Sequence, residues 1–258
     1  MSQSDPLLVE WPQPSICVLR LNRPEAYNAL SVELVNDLRC AVALIVGEGA
    51  RVMVLAATKP GFCSGADLKQ RKTMTDAQKY AHNRAISALA DEIAALPIPT
   101  IAAINGIAMG GGTELPLACD IRFTSSDAKI GLTEARIGAM PGAGGTQRLP
   151  RLIGTARALE IMYSGEPITA DTAAAWGLVN STHTPDDLER HTLAFAESLA
   201  GRSRTSTAML KSVVYNGLDV SLREGLELER KAIVTILSSE DYKEGLAAFA
   251  ERRPPNFS

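Results

Sequence analysis

Thr100-Ile101-Ala102-Ala103-Ile104-Asn105-Gly106-Ile107-Ala108-Met109-Gly110-Gly111-Gly112-Thr113-Glu114 is the stretch from which the rest of the chain can be read. Its first five residues form a short apolar run bounded by Pro99 and Asn105-Gly106, the signature of a buried strand. Three consecutive glycines follow, and after them the pattern turns helical. Without Cβ atoms, such a turn lets backbone N–H groups approach an incoming atom at the start of a helix, where unpaired donors favour negative charge. Working outward, Pro97 and Pro99 stop a helix predicted over Asp76–Leu96. Before it, Ser31 caps a helix running to Val46, with Leu34, Val35, Leu38, Val42 and Ile45 on one stripe. Strands at Ile16–Leu21 and Arg51–Ala57 flank that helix, giving β-α-β.

Downstream, a helix over Gly111–Ala118 is followed by strands at Asp120–Ser125 and Lys129–Gly131. Strands alternating with helices predict an α/β fold with mainly parallel pairing. After Pro150 the character changes. Helices are predicted over Thr155–Tyr163, Thr169–Trp176, Pro185–Ala200, Ser203–Asn216, Ser221–Leu237 and Ser239–Glu251, with one strand at Leu178–Ser181. The last helices carry Leu222, Leu226, Leu228, Ile233, Ile236, Leu237, Leu246 and Phe249, apolar residues that need a cover, either this chain's own core or a second subunit.

The 258 residues are 46% hydrophobic and 21% charged, enough for one sizeable core. A net charge of −3 offers no global attraction for nucleic acid or an anionic membrane. Cys17, Cys40, Cys63 and Cys119 have no C-x-x-C spacing and no histidine at ligand distance, so they read as small hydrophobes in a reducing compartment. His82, His183 and His191 fall away from every motif, and the last two are expected to face solvent. With no G-x-S-x-G elbow, no H-x-x-x-H pair and no G-x-G-x-x-G after the first strand, the sequence supports neither a serine hydrolase, nor a metal site, nor a Rossmann dinucleotide site. Met1 to Pro6 has no basic region leading into an apolar run, and about 18 consecutive apolar residues occur nowhere, so a cytoplasmic protein without membrane attachment is expected.

The chemistry concentrates in Glu114, Glu134 and the glycine turn. A carboxylate flanked by glycines and Leu115-Pro116-Leu117 is costly unless it has work to do, and two carboxyls in one poorly solvated site are pushed apart in pKa so that one can act as acid and the other as base. Five segments then carry a resemblance: Leu21-Asn22-Arg23-Pro24; Phe62-Cys63-Ser64-Gly65-Ala66-Asp67-Leu68; Ile101–Gly106 with Gly110–Leu115; Cys119-Asp120-Ile121-Arg122; and Pro141–Leu149. In this order they resemble the enoyl-CoA hydratase (crotonase) family almost end to end, and Tyr242–Arg253 resembles that family's terminal helix.

The resemblance implies a crotonase-like spiral of ββα units with a C-terminal helical trimerisation region, divided here as a core over 1–195 and an oligomerisation region over 196–258. It implies an acyl-CoA substrate, assembly as a homotrimer or dimer of trimers, and no cofactor apart from the coenzyme A of the substrate. By the same resemblance the thioester oxygen sits between the backbone N–H groups of Ala66 and Gly111, and Glu114, Glu134 and the Gly142 N–H hold the water added to a 2-enoyl-CoA. Coenzyme A is expected against Ala26, Ser64, Ala66, Asp67, Leu68 and Lys69, with Gly110, Met140, Phe249 and Arg252 (or Arg253) completing the substrate contacts. Alternatives on the same scaffold are a methylglutaconyl-CoA hydratase, an enoyl-CoA isomerase and an inactive CoA-binding member; two glutamates favour a hydratase. Some relatives in the methylglutaconyl branch are associated with RNA, but the cluster of Arg148, Arg151 and Arg157 lacks interleaved aromatics, so no nucleic-acid partner is expected. Two departures from the family pattern stand out: Glu25 where many relatives carry lysine, and Pro116 close to a helix start.

Overall fold

The structure is a computed structural model describing residues 5–257; the sequence reading of Met1–Ser4 lies outside them. In chain order the strands are β1 (Leu7–Gln13), β2 (Ile16–Leu21), β3 (Val52–Ala57), β4 (Thr100–Ile104), β5 (Ala108–Met109), β6 (Ile121–Ser125), β7 (Lys129–Gly131), β8 (Ile168–Thr169) and β9 (Ser181–His183). The helices are α1 (Val32–Leu44), α2 (Leu68–Arg71), α3 (Asp76–Ala95), α4 (Gly111–Ala118), α5 (Gly145–Ile153), α6 (Thr155–Ser164), α7 (Ala170–Ala175), α8 (Leu188–Ala200), α9 (Arg204–Leu218), α10 (Leu222–Leu237) and α11 (Glu240–Glu251).

The main sheet runs β1-β2-β3-β4-β6-β9, parallel throughout except for the antiparallel β1–β2 edge, and a smaller sheet runs β5-β7-β8. Because successive side chains point to opposite faces, the central strands split their apolar residues between two cores. Leu19, Leu21, Met53, Leu55 and Ala102 pack with Leu34, Leu38 and Val42 of α1 and Leu89 and Ile93 of α3. Ile16, Val18, Val52, Val54 and Ile101 pack instead against α8, including its Ala196 and Ala200. Burial on both faces is why these strands read as unbroken apolar runs. The division at 195/196 falls inside α8.

Three sequence expectations are corrected. Strand pairing beside β6 begins at Ser181, not Leu178, because the Leu178 N–H is drawn onto Ala173 O at the end of α7 (2.8 Å) and both Leu178 and Val179 are buried there. His183 and His191 do not simply face solvent: their rings stack at 3.8 Å and both make T-shaped contacts with Phe123. His82 is buried beside the loop that begins α2, with Arg71 Nε donating to its Nδ1 at 3.4 Å, so it does not lie away from the motifs.

The end of the chain is tied to the sheet by a partly buried polar knot. Asp120 accepts from the Thr100 N–H (2.8 Å), from Lys211 Nζ (3.0 Å) and from the Tyr215 hydroxyl (3.0 Å), anchoring α9. Beyond that anchor α9, α10 and α11 do not bury their apolar residues on the chain's own core: Leu218, Leu222, Ile233, Leu246 and Phe249 stay exposed. Cys17, Cys63 and Cys119 are buried, and desolvation pushes their thiols up to about 12, so none is primed as a nucleophile. Among the described residues no helix is long and apolar enough to cross a membrane.

Candidate active site

Two loops meet at the start of α4. Leu30 forms a parallel bridge with Ala66, in which the Leu30 N–H donates to Gly65 O and the Asp67 N–H to Leu30 O. In such a bridge the flanking residues make the bonds, so the N–H of Ala66 itself points away from Leu30. It points toward Gly111: a Cβ placed on Gly111 would lie 3.9 Å from the Ala66 nitrogen, and one on Gly65 would lie 3.5 Å from the Gly111 nitrogen. Gly111 is the first residue of α4, where N–H groups have no intrahelical acceptor. Among the described residues neither amide donates to a protein acceptor.

Glycine is required here for two separate reasons. Gly110 has φ +53° with ψ −127°, a backbone state that side-chain-bearing residues avoid, and its N–H donates to Gly131 O. At Gly112 a Cβ would come within 2.2 Å of the Cys63 carbonyl oxygen, so the two loops approach as closely as backbone allows. Thr113 Oγ1 locks the turn, lying 2.7 Å from Ala108 O and 2.9 Å from Gly131 O. At the other end of α4, the buried guanidinium of Arg122 donates to Cys119 O (2.6 Å) and Pro116 O (3.3 Å), placing positive charge on the helix's C-terminal carbonyls. Pro116 leaves the first turn in place: the Glu114 N–H still reaches Gly110 O at 3.1 Å.

Glu114 is 3% exposed. Its Oε1 accepts from the N–H groups of Ala143 (2.7 Å) and Gly145 (2.8 Å), with the Gly142 amide contributing as well. Burial outweighs these donors and the Arg148 charge, so its pKa is raised. Glu134 opens a 3₁₀ turn over Glu134–Ile137 and lays its carboxyl against Gly110, where a Cβ would sit 2.8 Å from Oε1. Its Oε2 is buried without a protein hydrogen-bond partner. Desolvation first, and the Glu114 charge in addition, push it up to about 7. The structure therefore joins the two carboxyls predicted from sequence, the Gly142 segment, and the Ala66 and Gly111 amides around Gly110.

The other predicted residues divide. Ala26, Ser64 and the Ala66–Lys69 segment form one surface: Ser64 Oγ donates to Ala26 O and the Ser64 N–H to Tyr27 O. Asp67 is committed internally, capping α2 through the Gln70 N–H and pairing with Arg23 at 3.0 Å. Leu68, Lys69 and Met140 are exposed. Phe249 and Arg252 sit on and just after α11, which packs on α10, and both are exposed. Arg253 is engaged by Glu244 and Glu251, whereas among the described residues no ion pair holds Arg252. Sequence reasoning missed Asn83 on α3, whose Nδ2 donates to Gly142 O at 3.3 Å. Among the described residues no cluster of histidine, cysteine and carboxylate side chains could hold a metal.

Two loop amides without a protein acceptor, gathered around Gly110 with the buried carboxyl of Glu114 and the half-buried one of Glu134, define a class, and comparison with known proteins gives it a family. The sequence profile described as enoyl-CoA hydratase/isomerase matches residues 12–258. Methylglutaconyl-CoA hydratase of Rattus norvegicus is 40% identical over 248 residues, covering 94% of this chain and 79% of the relative. Enoyl-CoA hydratase domain-containing protein 2 of Mus musculus is 38% identical over 253 residues, covering 95% and 85%. The crystal structure of an enoyl-CoA hydratase from Bacillus anthracis superposes with a TM-score of 0.96 at 40% identity, covering 98% of each chain. The chain belongs to the enoyl-CoA hydratase/isomerase family and has its crotonase-type α/β fold.

Proposed function

We propose that the protein is a hydro-lyase that adds water reversibly, in syn fashion, to a 2-trans-enoyl-CoA. The observation that carries this reading is the pairing of Glu114 and Glu134, one held by backbone donors and one raised to about 7, beside two unused amides. Glu114, stabilised as a carboxylate by the Ala143 and Gly145 amides, draws a proton from water as its oxygen attacks the β-carbon. Glu134, close to half protonated at neutral pH, delivers a proton to the α-carbon. Negative charge builds on the thioester oxygen between the Ala66 and Gly111 N–H groups, each such donor being worth about 2.7–4 kcal/mol at a developing oxyanion. The two carboxyls titrate as a unit, and the direction of proton flow reverses in dehydration.

No cofactor enters this chemistry; coenzyme A arrives with the substrate. Its nucleotide end meets Lys69 and Arg252, the latter supplied by a neighbouring copy. The bare apolar faces of α9–α11 support assembly as a trimer, or two stacked trimers, through the region after α8. Three buried, unreactive thiols support a reducing compartment, the cytoplasm. The test is hydration of crotonyl-CoA, followed as loss of enoyl absorbance. Wild type turns over, and Glu114→Gln and Glu134→Gln each lose at least about 10² in rate. Wild-type rates in either variant would overturn the assignment, and 3-methylglutaconyl-CoA beside straight-chain enoyl-CoAs identifies the preferred acyl group.

A further inference from the structure

Asn83 stands out because it touches the candidate site through one peptide group. The amide linking Gly142 to Ala143 is used at both ends: its carbonyl accepts from Asn83 Nδ2 at 3.3 Å, and its N–H donates to Glu114 Oε1 at 2.7 Å. The contact is built rather than incidental. A Cβ on Gly142 would fall 2.7 Å from Asn83 Nδ2 and 2.8 Å from its Oδ1, so only glycine lets the carboxamide settle on this peptide. Asn83 sits on α3, whose packing against α1 and α4 makes it a rigid base, whereas Gly142 is itself exposed in the loop between the 3₁₀ turn and α5, with Pro141 and Ala143 buried on either side.

We propose that Asn83 is a positioning residue for the hydration step, its carboxamide orienting the Gly142–Ala143 peptide so that the Ala143 N–H stays on Glu114. This rests on the reading of Glu114 as the base that activates water. Two physical effects act together. The bond from α3 holds the carbonyl end of a peptide whose N–H end is held by Glu114, fixing its plane at both ends. Donation to its carbonyl also polarises the peptide, making the opposite N–H a stronger donor. A stronger donor favours the ionised form of the carboxyl, so removing Asn83 must move the titration of Glu114 upward. The other charges facing Glu114 are Arg148, itself paired with Asp91 at 2.7 Å, and Glu134. Among the described residues none of these three is hydrogen-bonded to Asn83, whose bond goes to Gly142 O.

The experiment uses Asn83→Leu, similar in volume but without a donor, and Asn83→Ala, in protein carrying carboxyl-13C glutamate. The Glu114 signal is assigned by its absence in Glu114→Gln. Far-UV circular dichroism and solution mass identify which variants fold as wild type. The expected result is a Glu114 titration displaced to higher pH in a folded variant, with the acidic limb of kcat for crotonyl-CoA hydration moving the same way. We also expect kcat to fall roughly tenfold with KM changed much less. A folded variant whose Glu114 titrates as in wild type overturns the proposal. Wild-type protein that hydrates no enoyl-CoA, while the variant still displaces the Glu114 signal, overturns the hydratase reading and leaves the Asn83–Glu114 link standing.

Discussion

Replacing Glu134 by glutamine should stabilise the folded protein at alkaline pH while removing its activity. The carboxyl titrates near 7 in the folded state against an ordinary value of 4.5, because burial and the Glu114 charge both penalise its ionised form. Since the folded pKa lies above the unfolded one, the unfolded chain gives up this proton first as pH rises. Stability is therefore lost between about pH 4.5 and 7 and stays lost above it. Full linkage over that interval is about 3 kcal/mol; the side chain is partly open to solvent, so we take about 2 kcal/mol. For a chain of this size that corresponds to roughly 4–8 °C in melting temperature. Melts of wild type and Glu134→Gln at pH 8.5 and pH 5 read the effect directly. The variant should melt higher at pH 8.5, and the gap should shrink to about a quarter of that at pH 5, where the folded wild-type carboxyl is neutral but the unfolded one has begun to ionise. An equal gap at both pH values, or none at pH 8.5, refutes the assigned burial of charge. Coupled to a loss of turnover of at least about 10², the result would be a site that trades stability for function.

Three further outcomes follow from the same structure. Gly112→Ala forces a Cβ onto the backbone carbonyl of Cys63, which cannot swing aside as a side chain could, and should cost more than about 3 kcal/mol in chemical denaturation. Lys211→Met leaves Asp120 with its Thr100 and Tyr215 bonds but without a cation in a mostly buried place; a loss of about 3 kcal/mol is expected, with crotonyl-CoA KM unchanged in the folded enzyme. Charge placed on the bare faces, as in Leu226→Asp with Ile233→Asp, should reduce the solution mass toward the 27.4 kDa of one chain. An undiminished mass would show that these faces do not hold copies together.

The parts of this site that local chemistry dictates could be read from sequence. The Gly110–Gly112 turn and Glu114, four residues beyond its start, carry a local signal of glycines before a helix with a carboxyl in an apolar setting. Ala66, by contrast, is placed only by the family resemblance, since what Gly65 and Gly112 must avoid is Met109 O and the Cys63 carbonyl, more than forty residues away. The cores were legible locally as well, since alternation along β2 and β3 assigns each side chain a face. What escaped depends on partners distant in the chain. Asn83 and Gly142 are 59 positions apart, and nothing in α3 marks that residue for the loop. His82 reads as remote from the Ser64–Lys69 loop until α3 folds against it. The edge strand β1, half-buried along most of its length and carrying Pro12, has too little apolar alternation to announce itself. At β9 the tempting apolar pair Leu178-Val179 belongs to the end of α7, so the true strand is the more polar Ser181–His183.

Everything proposed for the reaction depends on the Ala66 and Gly111 N–H groups acting on one oxygen while Glu114 and Glu134 flank the double bond. A crystal structure with a slowly turned-over acyl-CoA thioester measures this directly. The account predicts the thioester oxygen about 2.7–3.1 Å from both amide nitrogens, with both carboxyls on the side of the α- and β-carbons. A thioester oxygen bound away from either amide, or an acyl chain leading away from the two glutamates, would contradict it.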